Sequence, residues 1–65
     1  MNKEVLRDKN GRRIGEITEK RDGVLELRDR NGRYLGKYDP KRNETRDRNG
    51  RLIGKGNLLA MLLKD

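Results

Sequence analysis

The residues of this chain best suited to chemistry are arginines and aspartates, and they come in a phrase repeated three times. Arg7-Asp8-Lys9-Asn10-Gly11-Arg12-Arg13-Ile14-Gly15 returns as Arg28-Asp29-Arg30-Asn31-Gly32-Arg33-Tyr34-Leu35-Gly36, and again as Arg46-Asp47-Arg48-Asn49-Gly50-Arg51-Leu52-Ile53-Gly54. The three copies hold ten basic residues against three acids, which accounts for the whole formal charge of +7 and leaves the rest of the chain neutral. Clustered guanidinium groups suit phosphates. Arg7, Arg12, Arg13, Arg28, Arg30, Arg33, Arg46, Arg48 and Arg51 are therefore the candidate residues for nucleic acid or another polyanion. Solvated charge that blunts exposed sheet edges is the plainer use of the same side chains.

Other chemistries are excluded by what the chain lacks. It has no His, Cys or Ser, so no nucleophile-and-base arrangement of the usual kind can be assembled, and an enzyme is not expected. Asp8, Asp29 and Asp47 stand where a type I turn favours Asp, which explains their recurrence without an acid catalyst or a metal. Asp-x-Asn-Gly opens like a calcium loop, but the later ligands and the closing Glu are missing. Gly50-Arg51-Leu52-Ile53-Gly54-Lys55-Gly56 has neither the spacing of a P-loop nor the Ser or Thr after its Lys. No metal, cofactor or small-molecule substrate is expected.

The phrase itself specifies β-hairpins. Asp followed three residues later by Gly marks a type I turn with a left-handed glycine, closing a three-residue loop. A two-residue Asn-Gly turn is the rival, shifted by one residue. The three-residue loop sets Asp8 opposite Arg12, Leu6 opposite Ile14 and Val5 opposite Gly15. It repeats this as Asp29/Arg33, Leu27/Leu35 and Glu26/Gly36, then as Asp47/Arg51, Thr45/Ile53 and Glu44/Gly54. One face then carries apolar and opposite-charge cross-strand pairs, and the other carries Val5, Ile17, Val24, Tyr34, Tyr38 and Leu52 with Gly15, Gly36 and Gly54, whose recurrence inside strands marks a bend or a close backbone approach.

The spacing predicts six strands near 3–8, 12–19, 24–29, 33–38, 43–47 and 51–55, joined by further turns at Asp22-Gly23 and Asp39-Pro40. They form three hairpin repeats over about residues 3–18, 24–38 and 43–56. In an antiparallel meander all three Asp-Asn-Gly turns project from the same end.

After Gly56 the pattern changes. Asn57 suits a helix N-cap, and Leu58-Leu59-Ala60-Met61-Leu62-Leu63 predicts a short helix over residues 57–64. A helix this short needs packing to persist. It serves either as a plug on the chain's own sheet or as an apolar surface for another protein or a second copy of the chain, and Leu58, Leu59, Met61, Leu62 and Leu63 are the candidate contact residues.

Sixty-five residues, 29% apolar and 45% charged, make one domain (1–65) with a thin core. The absence of Cys rules out disulfides and fits a reducing cytoplasm. No apolar run reaches the ~20 residues of a membrane span. The fold class expected is mainly β (α+β): a curved or coiled meander of three hairpins with one C-terminal helix.

The Asp-x-x-Gly-x-x-x-Gly spacing at Asp8/Gly11/Gly15, Asp29/Gly32/Gly36 and Asp47/Gly50/Gly54 resembles the petal repeat of four-fold beta flower proteins, over roughly residues 5–56. That resemblance implies a small bacterial or phage-encoded hairpin-repeat domain with no catalytic residues to carry over. From the residues, the leading expectation is a non-enzymatic interaction module that self-associates or docks a protein partner. Polyanion binding through the basic turns is the alternative.

Overall fold

The computed structural model describes residues 2–63. Six strands form one antiparallel sheet in sequence order: β1 (Lys3–Arg7), β2 (Arg13–Glu19), β3 (Leu25–Asp29), β4 (Tyr34–Asp39), β5 (Glu44–Asp47) and β6 (Leu52–Lys55). The hairpin meander is therefore the architecture. All three Asp-Asn-Gly turns lie at one end of it, and the turns at 20–24 and 39–43 lie at the other.

The turns form as their residues dictate, but the ladder beyond them differs from the simple alternation. In β1/β2, Arg7 faces Arg13 and Leu6 faces Gly15, which leaves Ile14 as an extra residue on β2. Leu35 is skipped in the same way between Arg28/Tyr34 and Leu27/Gly36, and Ile53 between Arg46/Leu52 and Thr45/Gly54. Each hairpin thus contains a bulge one step inside its turn, and each bulge shifts the register by one. Leu6, Leu27 and Thr45 consequently face glycines instead of Ile14, Leu35 and Ile53.

The shift also re-sorts the two faces. Directly opposed residues share a face, so Leu6, Gly15, Ile17, Leu25, Leu27, Gly36, Tyr38, Thr45 and Gly54 line the core side. Ile17 and Tyr38 belong here, and not with Val5, Tyr34 and Leu52. The outer side is mostly charged, with Glu16 opposite Arg28, Glu26 and Arg46 flanking Lys37, and Glu44 opposite Lys55.

The predicted C-terminal helix is a 3-10 turn over Leu59–Leu62, and position 64 lies outside the described residues. Asn57 does not cap it from the N-cap position, which Leu58 holds; instead the Asn57 Oδ1 accepts the Leu59 N–H at 3.2 Å. Reach is the physical reason. A β-carbon on Gly54 would meet Leu58 Cδ1 at 2.7 Å, one on Gly36 would meet Leu62 Cδ1 at 2.5 Å, and one on Gly15 would meet Leu63 Cδ2 at 3.0 Å. The last glycine of each phrase therefore forms a socket for one leucine. Gly54, Gly36 and Gly15 lie on alternate strands, so the outer two sockets are about 20 Å apart across the sheet. An α-helix would advance only about 7.5 Å from Leu58 to Leu63, whereas a 3-10 turn flanked by the extended Leu63 covers more ground.

Thr45 fastens this segment. Its hydroxyl, fully buried, donates to the Gly56 carbonyl at 2.7 Å and accepts the Leu58 N–H at 2.9 Å. Leu27 and Leu59 complete a core whose small size suits a chain this charged.

Candidate polyanion-binding rim

Each turn of the repeat is built from the same set of bonds. The Asp8 carbonyl accepts the Gly11 N–H at 3.0 Å, and the Asp8 N–H donates to the Arg12 carbonyl at 2.9 Å. Gly11 then takes φ = 82°, a conformation open to glycine at little cost. Asp29 with Gly32 and Arg33, and Asp47 with Gly50 and Arg51, repeat these bonds at 2.9 to 3.0 Å.

The aspartates are occupied within their own turns. Asp8 Oδ1 accepts the N–H groups of Asn10 and Arg12 at 2.9 and 3.0 Å. Asp29 does the same for Asn31 and Arg33 at 2.8 and 2.9 Å, and Asp47 for Asn49 and Arg51, both at 2.9 Å. At Asp29 the Arg33 amide bond is the main influence that holds the carboxyl below its ordinary value. Asp8/Arg12, Asp29/Arg33 and Asp47/Arg51 thus meet through backbone amides, and among the described residues no ion pair joins them.

The nine candidate arginines fall into two groups. Arg7, Arg28 and Arg46 fold back to donate to the carbonyls of Gly11, Gly32 and Gly50, at 2.9, 3.1 and 2.9 Å. Arg46 also pairs with Glu44 at 3.2 Å, Arg28 lies 5.8 Å from the centre of the Tyr34 ring, and Arg13 pairs with Glu16 at 2.9 Å. Arg12, Arg30, Arg33, Arg48 and Arg51 are exposed and enter no ion pair among the described residues. Successive turns sit two strands apart, so these five arginines are spread along a rim about 20 Å long.

Beside the rim, Ile14, Leu35, Leu62 and Leu63 form the apolar part of an open groove of about 560 Å³, which Asp8, Arg12, Asp29, Arg30 and Asn31 also line. The bulges bring Ile14 and Leu35 to this groove.

The candidate apolar contact residues go elsewhere. Leu59 is buried, and Leu58, Leu62 and Leu63 are half-buried over their glycines. Of the five, only Met61 is well exposed, at 64%. The leucine run therefore serves the chain's own sheet first. No group of three metal-ligating side chains occurs among the described residues, and no helix there is long and apolar enough to cross a membrane.

Sequence reasoning marks Gly15, Gly36 and Gly54 as points of bend or close approach, but it finds neither the leucines that fill them nor the Thr45 clamp. A signal for the clamp is present, because Leu6 and Leu27 precede the first two Arg-Asp pairs and Thr45 precedes the third.

Compared with protein-family models, curated proteins and solved structures, the chain matches none. The resemblance to the beta flower petal rests on the turn spacing and the hairpin meander alone.

Proposed function

We propose that the chain is a non-enzymatic module that binds polyanions, foremost the phosphate backbone of nucleic acids, through the three-turn rim. One observation carries this reading: Arg12, Arg30, Arg33, Arg48 and Arg51 stand exposed at the same end of the sheet with no ion-pair partner among the described residues. The aspartate of each turn directs its Oδ1 to backbone amides, and three aspartates stand against ten basic residues in the repeated phrases. Charge gathered on one face in this way attracts a phosphate chain irrespective of its sequence.

Base stacking has little part in this reading. Tyr34 lies against Arg28 on the outer face, and the Tyr38 hydroxyl donates to Asn43 Oδ1 at 2.8 Å near the opposite end of the sheet. The two rings form no shared platform of the kind that single-strand binders use. Duplex and single-stranded nucleic acids are expected to bind with little sequence preference.

Fluorescence anisotropy with a labelled mixed-sequence duplex of about 20 base pairs tests the proposal. Binding is expected at low salt, with log K falling linearly in log salt, because neutralised phosphates release counterions. No binding at about 50 mM salt would refute it.

A further inference from the structure

Within the chain, the edge of one hairpin is twice filled by the strand before it, in the same register. β2 lies on β3 with Gly15 opposite Asp29, Glu16 opposite Arg28 and Ile17 opposite Leu27. β4 lies on β5 with Gly36 opposite Asp47, Lys37 opposite Arg46 and Tyr38 opposite Thr45. Each receiving strand presents Asp, Arg and a core-facing residue in turn, and each incoming strand supplies Gly, a charged residue and a large side chain on the core face.

β1 presents the same series, Asp8, Arg7 and Leu6, and among the described residues no strand pairs with that edge. Its backbone is oriented to receive one. The Glu19 N–H donates to the Asn2 carbonyl at 2.8 Å. Bonded and non-bonded pairs alternate along an antiparallel ladder, so Lys3 and Val5 direct their N–H and C=O groups away from β2. Val5 is 43% exposed, and it shares the outer face with the exposed Lys3.

A second copy of this chain fits the edge poorly. The other free edge of the sheet is β6, whose corresponding residues are Gly54, Lys55 and Gly56. They lack the large core-side residue that both incoming strands supply, and two chains that each carry +7 repel one another. An acidic strand meets both requirements, as Glu16 and Ile17 do opposite Arg28 and Leu27.

We infer that the free edge of β1 takes an extended segment of another protein as a seventh antiparallel strand, with the order small residue, Asp or Glu, then large apolar residue. Main-chain bonds to Lys3 and Val5 provide attachment, and Arg7 selects the acid.

The probe is a capped synthetic peptide copying Arg13 to Glu19, titrated into the isotope-labelled full chain and followed by backbone amide shifts. Saturable shifts concentrated on Lys3 to Arg7 are expected. A peptide with Glu16 replaced by lysine is expected to bind about fivefold more weakly, since a favourable cross-strand pair with Arg7 becomes a repulsive one. Val5→Pro removes an outward N–H at an edge position where proline is tolerated, and it is expected to abolish binding. Should that variant not fold, Arg7→Glu provides the second test and is expected to reverse the preference between the two peptides. Shifts absent from β1 at millimolar peptide, equal affinity for the two peptides, or an unchanged preference in Arg7→Glu would each overturn the inference.

Discussion

Leu62 occupies the space in which Gly36 would carry a side chain. A β-carbon on Gly36 would stand 2.5 Å from Leu62 Cδ1 and 3.1 Å from the Asp47 Cα, and would also press on the Arg46 carbonyl. At Gly54 the only close atom among the described residues is Leu58 Cδ1, at 2.7 Å. The two sockets differ in what surrounds them: Gly36 is confined by backbone and side chain, Gly54 by a side chain alone.

That difference separates two double-mutant cycles. Gly36→Ala is expected to cost about 1 to 3 kcal/mol by overpacking, with little recovery when Leu62→Ala is added, because the backbone obstruction remains. Gly54→Ala is expected to couple to Leu58→Ala by about 1 kcal/mol, since shortening the leucine clears the space. Urea denaturation of the six proteins and the parent measures both cycles. Equal coupling at the two sites would contradict the packing described.

Thr45→Val keeps the shape of the side chain and removes its hydroxyl. The Gly56 carbonyl loses its donor and the Leu58 N–H loses its acceptor, both at a part-buried site. The expected loss is about 2 to 6 kcal/mol, from roughly 1 to 3 for each group left without a partner. Thr45→Ser retains both bonds and is expected to lose less. Chemical denaturation decides the matter, and a Thr45→Val protein as stable as the parent would show that the clamp contributes nothing.

Acid sensitivity follows from two carboxylates. Asp29 is held below its usual 3.8, chiefly by the Arg33 amide, and Glu44 below its usual 4.5, chiefly by hydrogen bonding to Lys55. A carboxyl lowered on folding contributes stability that is present above its unfolded value and lost as the pH falls through the folded one. Tm is therefore expected to hold from neutrality down to about pH 5 and to decline as the pH drops past 4.5 and then 3.8. Asp29→Asn and Glu44→Gln each flatten part of that decline. Melting curves across the acid range provide the check, and an acid limb unchanged in both variants would be the contrary result.

The turns were legible in the sequence because their chemistry is local. Asp8, Asn10 and Gly11 satisfy one another within a few residues, and the strands follow from where the turns fall. The bulges at Ile14, Leu35 and Ile53 were not legible, since an apolar residue and a glycine side by side leave two registers open and only packing chooses between them. The helix over 57–64 was misread for a related reason. Propensity favours it, but sockets about 20 Å apart on the sheet draw the leucines out into a 3-10 turn and an extended end. The basic rim was visible as composition, and the structure separates Arg7, Arg28 and Arg46, turned back on their glycine carbonyls, from the five arginines that face outward.

The functional proposal is tested most directly by where the salt dependence of binding resides. Two triple variants are compared with the parent on the same duplex: Arg12→Gln, Arg33→Gln and Arg51→Gln at the rim, and Lys20→Gln, Lys41→Gln and Arg42→Gln at the opposite end. If each rim arginine meets one phosphate, the slope of log K against log salt is expected to shrink by about 2.7 in the first variant, from roughly 0.9 per phosphate, and to stay near the parental value in the second. Equal slopes in the two variants, or a loss confined to the second, would contradict binding through the turns.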